Sequence, residues 1–292
     1  MKVKELTKNG IPYVYIDNIP KLSLYKTFDC GQAFRFDPVS AFGHKYEFGG
    51  VAFGKYVIFA QDHERELYIY NCDHLDFESI WHIYLDFSVD YDKADREILE
   101  AVPSEHMKKC VEYGSGIRLL CQNLWETMIS FIISQNNNIP RIKKIISALC
   151  ERYGEKIEFM GSTYYTFPDA DVLAKASVEE FFQLKMGFRA KYVYDACRFY
   201  LKETHKIFSL GLSTLENDID TLCEVKGIGL KVASCILLFT RTRRDAFPID
   251  VHMKRTLEKY FPEGLDVSLL GERAGLVQQY LFYYEKYNKA LE

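Results

Sequence analysis

Two different periods divide the chain. Between Tyr13 and Gln61, aromatic and β-branched residues are punctuated by glycines, as in KYEFGGVAFGKYVIFAQD, the pattern of strands joined by tight turns. The first third is therefore expected to hold an antiparallel sheet. After about residue 105 the apolar positions fall at helical spacing: Leu120, Leu124, Met128, Phe131 and Ile132 share one face, and Ile142, Ile145, Ile146 and Leu149 another. Asn138 and Pro140 stand where a helix cap and a first-turn proline belong. With no repeat or flexible linker between them, a sheet-containing domain at 1–105 and a helical domain at 106–292 are expected to pack together, an α+β fold.

Composition narrows the class. A chain of 292 residues with 48% hydrophobic content can bury one large core or two modest ones. The longest internal apolar run, CILLF, is far short of a membrane span, and MKVKELTKNGIPYVYIDN has no signal-like apolar stretch. A cytoplasmic monomer, nucleoid-associated in a prokaryote, is the expectation. The eight cysteines are scattered without a Cys-x-x-Cys pair, so no metal, cofactor or disulfide framework is implied. A formal charge of −4 argues mildly against a nucleic-acid partner, because phosphate binding draws on Lys and Arg. Basic residues nevertheless cluster in PRIKK (140–144) and RTRR (241–244), while acids collect between 73 and 100, which predicts one basic face on an acidic body.

The chemistry concentrates near the C-terminal third. TLCEV, KGIG and LKVASCILLF read as a helix, a hairpin and a second helix at about 218–240. Val232, Cys235, Ile236 and Phe239 make the buried stripe of the second helix, which leaves Lys231 at its N-terminal edge, one turn from Cys235. Gly227 and Gly229 let backbone approach another molecule, and the free N–H groups of the helix start favour an anion. Taken alone, such a turn is a tight helix–helix connection. Downstream, Asp250 in AFPIDVHMKR is placed to cap a helix.

Together, KGIGLKVASC and the PIDVH about twenty residues later resemble the helix-hairpin-helix, Gly-Pro-Asp superfamily of base-excision DNA glycosylases. CGQAFRF, SQNNNIPRI, GFRAKYV and GLVQQYLF narrow the resemblance to the 8-oxoguanine DNA glycosylases, in that family's order and from about Cys30 to Glu285. The resemblance implies a bifunctional enzyme that excises 8-oxoguanine from double-stranded DNA, preferably opposite cytosine, and then cleaves the strand by β-elimination. Lys231 would be the nucleophile and Asp250 the carboxylate that stabilises positive charge on the sugar. The backbone carbonyl of Gly31 would accept from the N7 hydrogen that only the oxidised base carries. Cys235 and Phe282 would sandwich the base, and Gln278 would read its Watson–Crick edge.

On the DNA side, Asn136 would fill the space left by the flipped nucleotide, Phe188 would wedge beside the estranged base, and Arg141 and Arg189 would reach that base's hydrogen-bonding edge. Family members usually carry tyrosine where this chain has Phe188. His252 resembles a phosphate contact, as do Gly227 and Gly229. The iron–sulfur cysteine loop of related glycosylases is absent. Two alternatives stay open at this stage. One is a glycosylase for another damaged purine, and the other a non-catalytic helix-hairpin-helix DNA-binding protein, which would need neither Lys231 nor Asp250.

Overall fold

A computed structural model describes residues 1–288 and shows an α+β architecture, an N-terminal antiparallel sheet set on a helical body. The sheet strands are β1 (Lys2–Lys8), β2 (Ile11–Asp17), β3 (Phe36–Pro38), β4 (Tyr46–Ala52), β5 (Lys55–Gln61) and β6 (Glu66–Tyr70), in the spatial order β1-β2-β6-β5-β4-β3. All pairings are antiparallel. Alternation along β5 sends Val57 and Phe59 into one buried cluster and Tyr56, Ile58 and Ala60 into another, so both faces of the sheet are covered. Helix α1 (Leu24–Asp29) lies between β2 and β3, and its C-terminus delivers Cys30 and Gly31 toward the helical body.

The helical core is a single cluster that also takes in Cys30 and Phe34. Helix α2 (Tyr91–Ala101), built from the acidic stretch, buries Tyr91, Ala94 and Ile98 in it. Helix α3 (Leu124–Ser134) begins later than the apolar spacing implies. Asn123 caps it by accepting from Glu126 N–H, so Leu120 lies outside the helix, where its own N–H donates to Gln32 and its side chain joins the sheet-side cluster. Helix α4 (Ile139–Tyr153) matches expectation, with Asn138 as cap, Pro140 in the first turn, and Ile142, Ile145, Ile146 and Leu149 buried.

The expectation that everything after residue 105 is helical misses a small hairpin of β7 (Lys156–Phe159) and β8 (Ser162–Tyr165). Met160 and Gly161, both at positive φ, form the two-residue turn whose twist suits a hairpin. The expected helix-hairpin-helix is present as α5 (Leu215–Cys223) and α6 (Leu230–Phe239). The helix capped by Asp250 is α7 (Val251–Tyr260), and α8 (Ala274–Asn288) packs alongside it. Among the described residues no helix is long and apolar enough to cross a membrane.

Candidate active site

At the hairpin, the two glycines do different work. Gly227 adopts φ +93, and a Cβ there would fall 2.3 Å from the Tyr192 ring, so this glycine is required by packing. Gly229 is exposed, has open space around it and caps α6, whose first N–H groups are therefore presented to solvent. Lys231 follows in the first turn, half-buried, with Nζ 5.8 Å from the centre of the Phe131 ring. Phe131 stacks on Phe239 at 5.3 Å, so the lysine stands over an aromatic floor.

One turn on, Cys235 is buried. Burial pushes its thiol pKa up, against the lowering effect of the charge of Lys231 and the hydrogen bond it makes to the thiol. Asp250 caps α7, accepting from Met253 N–H at 2.8 Å through Oδ1, and its carboxylate lines the same recess as Lys231. The cap expected from sequence and the proposed catalytic carboxylate are thus one residue. Gly31 closes the opposite wall at φ +81, its absent Cβ standing 4.0 Å from the Phe282 ring edge.

Lys231, Asp250, Gly31, Cys235, Gln278 and Phe282 all line one recess. Two larger hollows near β7–β8 contain none of them. Cys30, Phe131, Phe239, Pro248 and Gln279 complete the lining. Sequence periodicity marks Phe131 and Phe239 as core, and gives no sign that the core surface opens there.

Gln278 is more constrained than a free reader of a base edge. Its Nε2 donates to the Pro248 carbonyl at 3.2 Å, and its Oε1 accepts from Gln279 Nε2 at 2.7 Å. Because a carbonyl can only accept, Pro248 fixes the orientation of both amides and leaves the buried Oε1 of Gln279 without a partner among the described residues. Gln279 has no assigned role in the sequence reading.

The DNA-facing candidates lie elsewhere and are less uniform. Asn136 is exposed between α3 and α4 at φ 47, an unusual conformation for a residue with a side chain. Phe188 is 54% exposed and immediately precedes the helix Arg189–Lys202. Arg141 is exposed and donates to Lys185 O at 3.3 Å. His252 is exposed in the first turn of α7.

Arg189 differs, being only 3% exposed. Its Nε donates to Gln135 O at 2.7 Å, Nη2 to Asn136 O at 2.7 Å and Nη1 to Met186 O at 3.2 Å, while its guanidinium lies 4.4 Å from the Phe188 ring centre. The structure therefore folds Arg189 against the Asn136 loop, largely buried, while Arg141 bonds the neighbouring Lys185 carbonyl and its charge adds to burial in lowering the Arg189 pKa. Gln135 adds a second tie, with Nε2 donating to the Gly227 carbonyl at 2.9 Å. The loop of Asn136 and the hairpin are fastened to each other.

The basic run RTRR is not part of an exposed face. Arg241 and Arg244 both pair with fully buried Asp86, the latter at 2.5 Å, and Arg243 sits 3.5 Å from Asp218 and 3.3 Å from Asp245. Burial alone would raise the Asp86 carboxyl pKa, but the hydrogen bond and charge of Arg244, together with Arg241, hold it below the usual value. This cluster braces the end of α6 against the sheet side. In the other run, Lys143 bonds Asp37 at 2.6 Å and Phe36 O at 2.7 Å.

A helix-hairpin-helix followed by a capping aspartate, with a lysine at the mouth of an aromatic recess, defines the base-excision class of this fold. Residues 129–264 match the family model of the HhH-GPD superfamily of base excision DNA repair proteins, and residues 15–128 match the N-terminal domain of 8-oxoguanine DNA glycosylase. The chain belongs to the 8-oxoguanine DNA glycosylase family.

Its structure is similar to that of MBOgg1 in complex with a low-affinity DNA ligand, with a TM-score of 0.89, 34% identity, and coverage of 99% of this chain and 100% of the other. It is also similar to Clostridium acetobutylicum 8-oxoguanine glycosylase/lyase in complex with double-stranded DNA containing cytosine opposite 8-oxoG, with a TM-score of 0.87, 32% identity and 99% coverage of each chain. In sequence it is 33% identical over 156 residues to the Saccharomyces cerevisiae N-glycosylase/DNA lyase, covering 49% of this chain and 42% of that protein. The chain thus matches less than half the length of that curated relative.

Proposed function

We propose that this protein is a DNA N-glycosylase and AP lyase that excises 8-oxoguanine from duplex DNA. The observation that carries the reading is the convergence of Lys231, Asp250, Gly31, Cys235, Gln278 and Phe282 on one recess beside the exposed helix start at Gly229. A base inside the stack is out of reach, so the nucleotide is flipped into the recess, with its flanking phosphates on the N–H groups at the start of α6.

The amine of Lys231 attacks C1′ as the bond from C1′ to the base nitrogen breaks, and the base departs with that electron pair and takes up a proton. Asp250 stabilises the positive charge that develops on the sugar. The lysine–C1′ adduct sheds an amine proton and the sugar ring opens, C1′–O4′ breaking with O4′ taking up a proton. The Schiff base so formed acidifies the C2′ hydrogen, and loss of that proton breaks C3′–O3′ and expels the 3′ phosphate by β-elimination. The Gly31 carbonyl accepts from N7–H of the oxidised base and faces a repelling lone pair in guanine. Losing that bond costs about 1–3 kcal/mol, or roughly ten- to a hundredfold in discrimination. Cys235 and Phe282 hold the ring between them, with Gln278 and its amide partner at the Watson–Crick edge.

Asn136 and Phe188 occupy the gap and the stack, and Arg141, whose forked donors suit the acceptors of cytosine, favours that base opposite the lesion. Single-turnover base release from duplexes that differ only in 8-oxoguanine or guanine, each opposite cytosine, tests the reading. Release from the oxidised duplex alone supports it, and failure on both overturns it. Equal rates opposite cytosine and adenine would remove the preference while leaving the excision in place.

A further inference from the structure

Specificity in this reading rests on a backbone carbonyl, which no substitution can delete, so the residue that holds that carbonyl in place is the one open to selection. The peptide plane carrying the Gly31 carbonyl ends at Gln32, whose side chain is 0% exposed. Gln32 Nε2 donates to Arg118 O at 2.7 Å and to Thr27 O at 3.0 Å, and lies 3.3 Å from the Cys30 sulfur. Its Oε1 accepts from Leu120 N–H at 3.0 Å, and its backbone carbonyl accepts from Gln122 Nε2 at 2.7 Å.

The other side of Gly31 is held as well. Cys30 N–H donates to Lys26 O at 3.1 Å and its thiol to Thr27 O at 3.2 Å, so the sharp turn at φ +81 is clamped from both ends. The partners of Gln32 come from α1, from the extended segment 118–122 and from its own loop. It joins the sheet side to the helical side where the base would dock. A fully buried amide that satisfies donors and acceptors from separate segments fixes one geometry, because any shift leaves a polar group unpaired.

We propose that Gln32 is a positioning residue that sets the Gly31 carbonyl and thereby the choice of oxidised over ordinary guanine. The inference rests on the base-reading role of that carbonyl given under Proposed function. Gln32 touches neither Lys231 nor the sugar in this account, so it governs base recognition and not the lysine chemistry. A duplex carrying a pre-formed abasic site separates the two, since its cleavage needs Lys231 but no base in the recess.

In Gln32→Glu the shape is kept, but a carboxylate oxygen faces the Thr27 and Arg118 carbonyls where an NH₂ stood. Release of 8-oxoguanine is expected to fall at least about tenfold, while cleavage at the abasic site changes by less than about threefold. A parallel fall in both rates, or no fall in either, overturns the proposal. Should Gln32→Glu fail to fold, the same two rates are read on Gln122→Leu, which removes the bond to the Gln32 carbonyl. Severalfold loss on 8-oxoguanine alone is expected there, and parallel or absent loss again overturns it. An unmodified protein that cleaves abasic DNA and ignores 8-oxoguanine sinks the base-reading role itself, and this inference with it.

Discussion

The recess and the DNA-facing loops were expected to work together, yet the structure builds them differently. Around the recess, side chains are fixed by packing and by bonds whose directions are dictated: Gln278 by Pro248 and Gln279, Cys235 by Lys231, Asp250 by its cap on Met253. On the loops, Asn136, Arg141 and Phe188 are exposed, and the one buried member, Arg189, spends its donors on the loop's own carbonyls. The recess is lined by side chains held in fixed directions, whereas Asn136 and Phe188 stand exposed and Arg141, also exposed, is tied to the Lys185 carbonyl. Preorganisation belongs where charge develops in the reaction, and adaptability belongs where a duplex must be entered.

The largest effects should come from the recess. Lys231→Gln keeps length and polarity but cannot form an imine, so base release and strand cleavage should fall below detection in a single-turnover assay while duplex binding persists. Retained base release would move the chemistry away from this lysine. Asp250→Asn is next. Asparagine caps a helix as well as aspartate does, so the melting temperature should hold while the rate drops by roughly 10²- to 10⁴-fold. A variant that unfolds early yet turns over normally would reduce Asp250 to its capping role.

Substitutions on the loops should be smaller and should divide the two arginines. Arg189→Met strips donors from the Gln135, Asn136 and Met186 carbonyls, so it should destabilise by about 1–3 kcal/mol in denaturant unfolding. Arg141→Met removes an exposed group, and should leave stability unchanged while narrowing the rate difference between cytosine and adenine opposite the lesion. If the two variants melt alike, the anchoring assigned to Arg189 is wrong.

The smallest effect is one of pH. Burial first, then the charges of Lys109 and Lys259, lower the His106 pKa to about 4, where its ring stacks on Tyr260 at 3.5 Å. A histidine held neutral in the folded state contributes stability above its unfolded pKa of about 6.5, and that contribution is lost as pH falls toward 4. His106→Phe should flatten the acid limb of the stability curve. An unchanged limb would assign the acid sensitivity elsewhere.

Much of this was legible in the sequence, for reasons that differ by residue. The sheet and the hairpin were readable because β-propensity and the Lys-Gly-Ile-Gly turn act locally, whereas Lys231 and Asp250 are bland taken singly and stand out only through the resemblance of KGIGLKVASC and PIDVH to the glycosylase superfamily. The start of α3 was misread because the cap at Asn123 outweighs an apolar spacing that continues to Leu120. The run RTRR looked like a solvated face, since nothing local reveals that Asp86, about 155 residues away in the chain, lies buried beneath it. Gln32 and Gln279 were invisible for the same reason, as a buried amide announces itself only through partners from distant segments. Arg189 was legible in position but not in direction, which its neighbours at Gln135 and Asn136 decide.

The central claim is that the recess presents Lys231 to the sugar of a flipped 8-oxoguanine. Borohydride reduction during reaction with an 8-oxoguanine duplex, followed by mass mapping of the DNA-linked peptide, tests it most directly. The account predicts a covalent adduct carried by Lys231 and absent from Lys231→Gln. An adduct on another residue, or base release with no adduct at all, would contradict it.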